Sequence, residues 1–181
     1  MMPERTRSWL QRDQAAQKFR PKRIKLLLVG EAPSSDERFF YSETPGSDID
    51  LFTQVCEVVF EATPSGDRTP YLKELRRRGV FAVDLKPDAP RRGDPLGPYV
   101  GPFLINLGVL GPDKIVFMDP EAYDAAYSKM SEAGLPVVGV RIPHLEPDRP
   151  ETFRQKLRQA LVRADLEKLI RPLPTPKRGD D

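Results

Sequence analysis

A chain of 181 residues with a net charge of +2 and 31% charged residues has the size and composition of one globular domain. Its one cysteine, Cys56, excludes an internal disulfide and any metal or iron–sulfur cluster held by cysteines alone. No apolar run approaches the roughly 18 residues that a membrane-spanning helix needs, and the basic segment 1–23 lacks the apolar core of a secretory signal. We therefore expect a cytoplasmic protein that is not bound to a membrane.

The apolar pattern then alternates between helix and strand along the chain. Helices are predicted, from spacings of three and four between apolar positions, at 6–19, 51–62, 71–78, 103–110, 120–133 and 150–170. Strands are predicted, from short apolar runs, at 24–29, 80–84, 114–118 and 135–140. This alternation predicts an α/β fold, in the form of a three-layer α/β/α sandwich around a central, mostly parallel sheet of four strands.

The pattern divides the chain into three parts. Segment 1–23 is predicted to be a basic N-terminal helical segment, 24–170 a single α/β domain, and 171–181 a disordered tail rich in proline and charge. Further basic residues cluster at 76–78 and at Arg91 and Arg92. The basic clusters either meet on one face and bind phosphates or lie apart as solvated surfaces.

Three predicted strands end in residues capable of acid–base chemistry. Glu31 follows the first strand, Asp84 ends the second, and His144, the only histidine, follows the fourth. The carboxyl ends of parallel strands meet at one edge of the sheet, where ligands bind in α/β proteins. A metal site is not expected, because one histidine and scattered acids lack the close spacing of metal ligands.

Each of these residues also has a purely structural explanation. Glu31 fits a helix cap or an ion pair, and His144 fits a surface loop without a chemical role. Cys56 fits a small buried residue on a helix face, since no base or redox partner lies near it in the sequence. The aromatics Phe39, Phe40 and Tyr41 favour a site, because they follow Glu31 closely enough to form a stacking wall beside it.

The run Gly30-Glu31-Ala32-Pro33 resembles the first motif of the uracil-DNA glycosylase superfamily, closest to the Gly-Glu-Ala-Pro-Gly form of its family 4 branch. The family's later motifs are matched, in order, by Phe39, Phe40, Asp84, Lys86, Pro87 and His144. Members of this family flip a damaged base out of DNA, stack it on an aromatic ring and hydrolyse its N-glycosidic bond. The resemblance covers roughly 24–161, and it implies the three-layer fold and a DNA N-glycosylase.

The resemblance implies a role for each matched residue. Glu31 would position or activate the attacking water, and His144 would stabilise the departing base. Residues that would bind the base are Gly30, Ala32, Pro33, Ser34, Phe39, Phe40 and Asp84. One of the two phenylalanines would stack the base, and the backbone amides of 30–34 would hold an oxygen or a phosphate. The DNA phosphates would be contacted by Lys86, Arg91 and Arg92. We expect a monomer that acts on damaged or single-stranded DNA without a cofactor.

Several features depart from the family pattern. The family 4 branch binds an iron–sulfur cluster through four cysteines, whereas this chain has one cysteine. Ser34 replaces the final glycine of the first motif. After the fourth predicted strand, the family has His-Pro-Ser, whereas here His144 is preceded by Pro143 and followed by Leu145 and Glu146. Leu145 is then the candidate for a wedge that fills the space of the flipped base.

Asp84 stands where the family usually has an asparagine, whose amide both donates to and accepts from uracil. An ionised carboxylate only accepts, and facing a carbonyl oxygen would cost on the order of 1 to 3 kcal/mol. Three explanations are open: Asp84 is protonated, the alignment is shifted by one residue, or the preferred base carries an exocyclic amine.

The expected function is a DNA repair glycosylase-like hydrolase that cleaves the N-glycosidic bond of uracil or another damaged base in DNA. One alternative is a binding protein that keeps the fold and recognises a nucleic acid or nucleotide without cleaving it. The departures at Ser34, at Asp84 and after His144 favour that alternative. Another is a hydrolase of free nucleosides, which would suit the modest net charge.

Overall fold

A computed structural model describes residues 7–35, 39–43, 49–88 and 94–175. Its helices are α1 (Arg7–Lys18), α2 (Leu51–Phe60), α3 (Thr69–Arg78), α4 (Gly97–Leu110), α5 (Pro120–Glu132) and α6 (Pro150–Arg163). Its strands are β1 (Leu26–Gly30), β2 (Val80–Asp84) and β3 (Ile115–Phe117). A 3-10 turn at Glu167–Leu169 follows α6. The predicted α/β class is therefore confirmed.

The sheet of the described residues has three parallel strands in the order β2-β1-β3. The central strand β1 is buried at every position, as its continuous run of apolar residues predicts. The register pairs Gly30 at the end of β1 with Asp84 at the end of β2. The ends of the strands that carry Glu31 and Asp84 consequently lie side by side.

The prediction of a fourth strand at 135–140 is wrong. The segment runs beside β3 but makes a single parallel bridge, between Ile115 and Val137. Proline at position 136 has no N–H to donate to a ladder, and the N–H groups of Val137 and Val140 donate within the segment to the carbonyls of Leu135 and Val138. Because these N–H groups donate within the segment, they do not pair with β3, and the sheet of the described residues has three strands.

Two helices, α4 and α6, differ from the predictions at one end, near a proline in α4 and near a residue with a left-handed backbone after α6. Helix α4 begins at Gly97, six residues before the predicted start, because Pro98 fits the first turn of a helix. Helix α6 ends at Arg163 rather than at 170, and Asp165 takes a left-handed φ of 57° before the 3-10 turn. Helix α3 ends as predicted at Gly79, whose φ of 81° suits glycine.

The helices pack on the sheet and on one another, with α2 against α6 and α4 against α5. Cys56 is buried on the inner face of α2, which confirms its structural interpretation, and burial raises the pKa of its thiol. No helix in the described part of the chain is long and apolar enough to span a membrane.

Arg78, the last residue of α3, is buried without an exposed side-chain atom. Its guanidinium donates to the Glu74 carboxylate at 2.7 Å and to the carbonyls of Val59, Leu169, Arg171 and Pro172 at 2.8 to 3.0 Å. It also lies 4.7 Å from the centroid of the Phe60 ring. One side chain therefore ties the segment after α6 to the interior.

Candidate active site

The carboxyl ends of the three strands open into a cleft, which we call the strand-end cleft; its lining includes Glu31, Phe39, Asp84, Asp119 and His144. Backbone pairing continues past the strands and fixes its edge. The N–H of Leu85 donates to the Gly30 carbonyl, and the N–H of Lys86 donates to the Glu31 carbonyl, both at 2.8 Å. The residues that follow β1 and β2 are thus held at defined positions.

Asp119 joins the end of β1 to the start of α5. One of its oxygens, Oδ1, accepts from the N–H of Ala122 at 2.8 Å, so Asp119 caps this helix, as an aspartate before Pro120 indicates. The other oxygen, Oδ2, accepts from the N–H of Glu31 at 2.6 Å. A residue whose sequence context indicates only a helix cap therefore also positions the backbone of Glu31.

The side chains of Glu31, Asp119 and Glu121 bring one carboxylate oxygen each to within 4.8 Å of one another. Such a group is compatible with a hard divalent cation, which prefers carboxylate oxygens, and equally with carboxyl groups that share protons. With Asp84, these residues form what we call the carboxyl floor: Glu31, Asp84, Asp119 and Glu121. Three of these four residues, Glu31, Asp84 and Asp119, line the cleft, so this part of its surface is acidic.

Glycine at position 30 allows this approach. A Cβ atom there would lie 2.8 Å from Oδ1 of Asp84 and 3.8 Å from Oδ2 of Asp119. The first distance is shorter than real Cβ contacts permit, so a larger residue would displace the Asp84 carboxyl. Asp84, at the end of β2, and Asp119, between β3 and α5, therefore both lie close to Gly30.

The electrostatics of the carboxyl floor follow from burial and crowding. Burial and the neighbouring charge of Asp119 raise the pKa of Asp84 to about 7, although Arg12 opposes the shift. Burial raises the pKa of Asp119 to about 6. Burial and the charge of Glu121 raise the pKa of Glu31, while His144 and Lys86 lower it. In each case burial is the larger cause and the charge of neighbouring carboxylates adds to it, so both favour the protonated form.

His144 reaches this group through Glu121. Its Nε2 lies 2.8 Å from Oε1 of Glu121, and 59% of its side chain is exposed to solvent. The other oxygen of Glu121, Oε2, is buried and has no hydrogen-bond partner among the described residues. The structure thus brings Glu31 and His144 into one cleft, and it places Glu121, which the sequence analysis did not single out, beside both.

The two predicted stacking aromatics differ in their surroundings. The Phe40 ring packs edge-on against Tyr41 and Phe52, at centroid distances of 5.2 and 5.6 Å. The half-buried Phe39 lines the cleft, and its ring has no aromatic neighbour within the residues that the structure describes. Phe39 is therefore the better placed of the two to stack a planar ligand.

Of the remaining predicted binding residues, three line the cleft and Lys86 is buried. Ala32, Pro33 and Ser34 line the cleft beside Glu31. Lys86 is only 4% exposed, its ammonium contacts Asp94, and it lies 5.8 Å from the centroid of the Tyr99 ring. Arg91 and Arg92 lie outside the described residues, so their predicted contact with phosphates has no structural counterpart to compare.

Protein-family models, curated proteins and solved structures give no match to the chain. Function is therefore inferred from the chemistry of the site, and the family resemblance stays a prediction.

Arg12 is a site residue that the sequence analysis missed. It projects from α1 with 7% exposure, donates to the Pro87 carbonyl at 2.8 Å, and lies 3.3 Å from Oδ1 of Asp88. Its spacing offered a signal, because positions 9, 12, 16 and 19 follow one another at intervals of three or four, and the other three are apolar. An arginine on the apolar face of a helix is expected to have a buried partner.

Proposed function

We propose that the protein hydrolyses the N-glycosidic bond of a nucleobase bound in the strand-end cleft, as a DNA repair glycosylase-like enzyme acting on uracil or another damaged base. The observation that carries this proposal is the convergence of Glu31 and His144 on Glu121. A carboxylate base and an imidazole at one cleft are what this reaction requires on either side of the bond that breaks.

Glu31 supplies the general base. The raised pKa of its carboxyl makes it a better proton acceptor than an exposed glutamate. It takes a proton from a water molecule whose oxygen bonds to C1′ of the sugar. The C1′–N bond breaks at the same time, and its electron pair leaves with the base. Asp119, through its bond to the Glu31 N–H, holds the backbone of this residue in place.

His144 stabilises the departing base. With Nε2 beside Oε1 of Glu121, the imidazole ring is anchored at one nitrogen. An N–H of this ring donates to the ring atom that gains the electron pair, or transfers a proton to it. Phe39 stacks the face of the base, and the backbone of residues 30–34 borders its edge.

The proposal includes the architecture and partner expected from the sequence. Two helix pairs, α2 with α6 and α4 with α5, support a three-layer α/β/α sandwich around the sheet. The enzyme acts as a cytoplasmic monomer on damaged or single-stranded DNA, and Arg91 and Arg92 contact phosphates.

A hydrolase of free nucleosides is the second candidate, and the surroundings of Lys86 favour it. This predicted phosphate contact is buried and its ammonium contacts Asp94. The carboxyl floor also repels phosphates close to the base pocket. Both candidates use Glu31 and His144 in the same way, and they differ only in what is attached to the sugar.

Base release from defined substrates tests the proposal. Purified protein is incubated with oligonucleotides carrying uracil, hypoxanthine, xanthine or an undamaged base, and with the corresponding free nucleosides, and the freed base is quantified by chromatography. We expect release from at least one substrate. Glu31→Gln should lower the rate by about 10²- to 10⁴-fold, and His144→Ala by about 10²- to 10³-fold.

Glu146→Gln is the matched control, because Glu146 is exposed beyond His144 and lies outside the carboxyl floor. Its rate should equal that of the unaltered protein. Release from nucleosides but not from oligonucleotides would select the second candidate. No release from any substrate, with retained binding of a base or of DNA, would overturn both hydrolase assignments in favour of a binding protein.

A further inference from the structure

The carboxyl floor offers a bound base many hydrogen-bond acceptors and few donors. Within residues 7–35, 39–43, 49–88 and 94–175, no lysine or arginine forms an ion pair with Glu31, Asp84, Asp119 or Glu121. The nearby cations have other partners: Arg12 donates to the Pro87 carbonyl, and Lys86 contacts Asp94. A ligand edge that points at this surface therefore meets carboxyl oxygens.

Asp84 is the member of the floor whose strand-end carboxyl lines the cleft next to Gly30. Both oxygens of Asp119 accept backbone N–H groups, and Glu121 lies beside His144. In contrast, no N–H or O–H of the described residues donates to Asp84, although its side chain lines the cleft. Arg12 attracts the Asp84 carboxylate by its charge, and its guanidinium donates to the Pro87 carbonyl and to Oδ1 of Asp88. Water satisfies this half-buried acceptor in the open cleft, and a base that displaces the water has to supply a donor in its place.

Nucleobases differ in what they can supply at such a position. Cytosine and adenine carry an exocyclic amine, which donates. Uracil, hypoxanthine and xanthine, the products of deamination, carry a carbonyl oxygen at the same atom, which only accepts. A carbonyl oxygen facing the Asp84 carboxylate leaves two acceptors in contact, whereas an amine gives each oxygen a donor.

We infer that the strand-end cleft selects a base that retains its exocyclic amine, and that the Asp84 carboxyl is the acceptor for this amine. The inference rests on the proposed function only in taking the ligand to be a nucleobase. It directs the enzyme away from deaminated bases and towards cytosine-type or adenine-type bases. His144 keeps its role, because cytosine and adenine both retain acceptor atoms nearer to the glycosidic bond.

Two pairs of nucleosides isolate the effect of the exocyclic amine on binding. Cytidine and uridine differ at one position, where an amine replaces a carbonyl oxygen, and so do adenosine and inosine. Isothermal titration calorimetry at about pH 8, above the pKa of about 7 of Asp84, gives the affinity of each nucleoside for the Glu31→Gln variant, which does not turn them over. We expect at least one amine-bearing nucleoside to bind about tenfold or more tightly than its carbonyl counterpart.

Asp84→Asn should reverse or abolish this preference, because a carboxamide offers the carbonyl oxygen a donor. Asp124→Asn, the same change at an exposed position of α5, should leave the preference intact. Equal binding within each pair, tighter binding of uridine and inosine, or binding of neither member would overturn the inference.

The inference and the proposed function fail separately. Release of uracil or hypoxanthine in preference to cytosine or adenine would retain the hydrolase and overturn the selection for an amine. Tighter binding of cytidine or adenosine without release of any base would retain the selection and overturn the hydrolase.

Discussion

Two groups of ionisable side chains, one in the interior around Arg78 and one at the strand-end cleft, are built in opposite ways. Around Arg78, a buried guanidinium meets the Glu74 carboxylate and four backbone carbonyls, so every donor that points inward has an acceptor. At the carboxyl floor, four acids approach one another without an arginine or lysine partner among the described residues.

The pKa directions express this difference. The neighbouring arginines, Arg77 first, lower the pKa of Glu74, which means that its charged form is favoured in the folded state. At the carboxyl floor the pKa values of Glu31, Asp84 and Asp119 are raised instead. A complete set of partners stabilises the fold, whereas an incomplete set costs stability and is expected where a ligand supplies what is lacking.

Removal of Arg78 tests the first half of this comparison and should have the largest effect. Arg78→Ala removes the buried donor to four carbonyls and leaves Glu74 with only the largely exposed Arg77, so we expect the free energy of unfolding to fall by about 3 to 5 kcal/mol. Arg77→Ala is the control, since Arg77 binds the same carboxylate from a side chain that is 58% exposed; it should cost less than about 1 kcal/mol. Equal losses in urea unfolding would contradict the role assigned to burial.

The pH dependence of stability should distinguish the two groups. A raised carboxyl pKa means that the folded state holds its proton when the unfolded state has lost it. The pKa of Asp84 is raised from 3.8 to about 7. Its contribution to the free energy of unfolding is therefore largest below pH 3.8, the pKa in the unfolded chain, and is lost as the pH rises towards 7. For Glu74, whose pKa is lowered from 4.5, stability is instead lost as the pH falls below that value.

Asp84→Asn removes the group that titrates in the upper window. We expect the fall in unfolding free energy between about pH 4 and pH 8 to shrink by on the order of 2 kcal/mol, discounted because Asp84 is only half-buried. Urea unfolding across this range measures it. Asp124→Asn should leave the fall unchanged. If the unfolding free energy of Asp84→Asn falls with pH as steeply as that of the unaltered protein, the charge of Asp84 does not lower the stability of the fold.

The sequence predicts the parts of the fold that depend on local pattern. The continuous apolar run of β1, the glycine after α3 and the Asp119-Pro120 start of α5 each act over a few residues, and each was placed correctly. The fourth strand failed because an apolar run does not reveal where its donors go. In 135–140 the proline and the local turns remove them from the ladder.

For the candidate site, the sequence indicates which strand ends carry chemistry but not how their side chains meet. Glu31, Asp84 and His144 were expected at one edge of a parallel sheet, and the structure places them in one cleft. Glu121 was missed because an acid in the first turn of a helix is common without any catalytic role. Whether a residue touches another 88 positions away, as Asp119 touches Glu31, follows only from the register of β1 with β3.

The buried hydrogen bond between Tyr41 and Ala82 joins two uncharged groups, and we expect its removal to cost less stability than the removal of Arg78. Tyr41 is 5% exposed, and its hydroxyl oxygen accepts from the N–H of Ala82 on β2 at 2.7 Å. Tyr41→Phe leaves that N–H unpartnered, and we expect a loss of about 1 to 3 kcal/mol in thermal or urea unfolding. Tyr71→Phe is the control, because it removes the hydroxyl that accepts from the N–H of Ser65, a group that is exposed to water. We expect it to lower the free energy of unfolding by less than Tyr41→Phe does. Similar losses in both variants would show that burial does not set the cost.

Arg141 and Asp124 should show the smallest effect, although their geometry repeats that of Arg77 and Glu74. Arg141 donates through two nitrogens to both oxygens of Asp124, at 2.8 and 2.6 Å, and Arg77 does the same to Glu74 at 2.7 and 2.6 Å. More than half of each side chain in the Arg141 pair is exposed, so water competes for its hydrogen bonds and salt screens its charges. Arg141→Ala should leave the urea midpoint unchanged within error at about 1 M salt. A loss there comparable to that of Arg78→Ala would mean that bidentate geometry, rather than the removal of water, makes the Arg78 group stabilising.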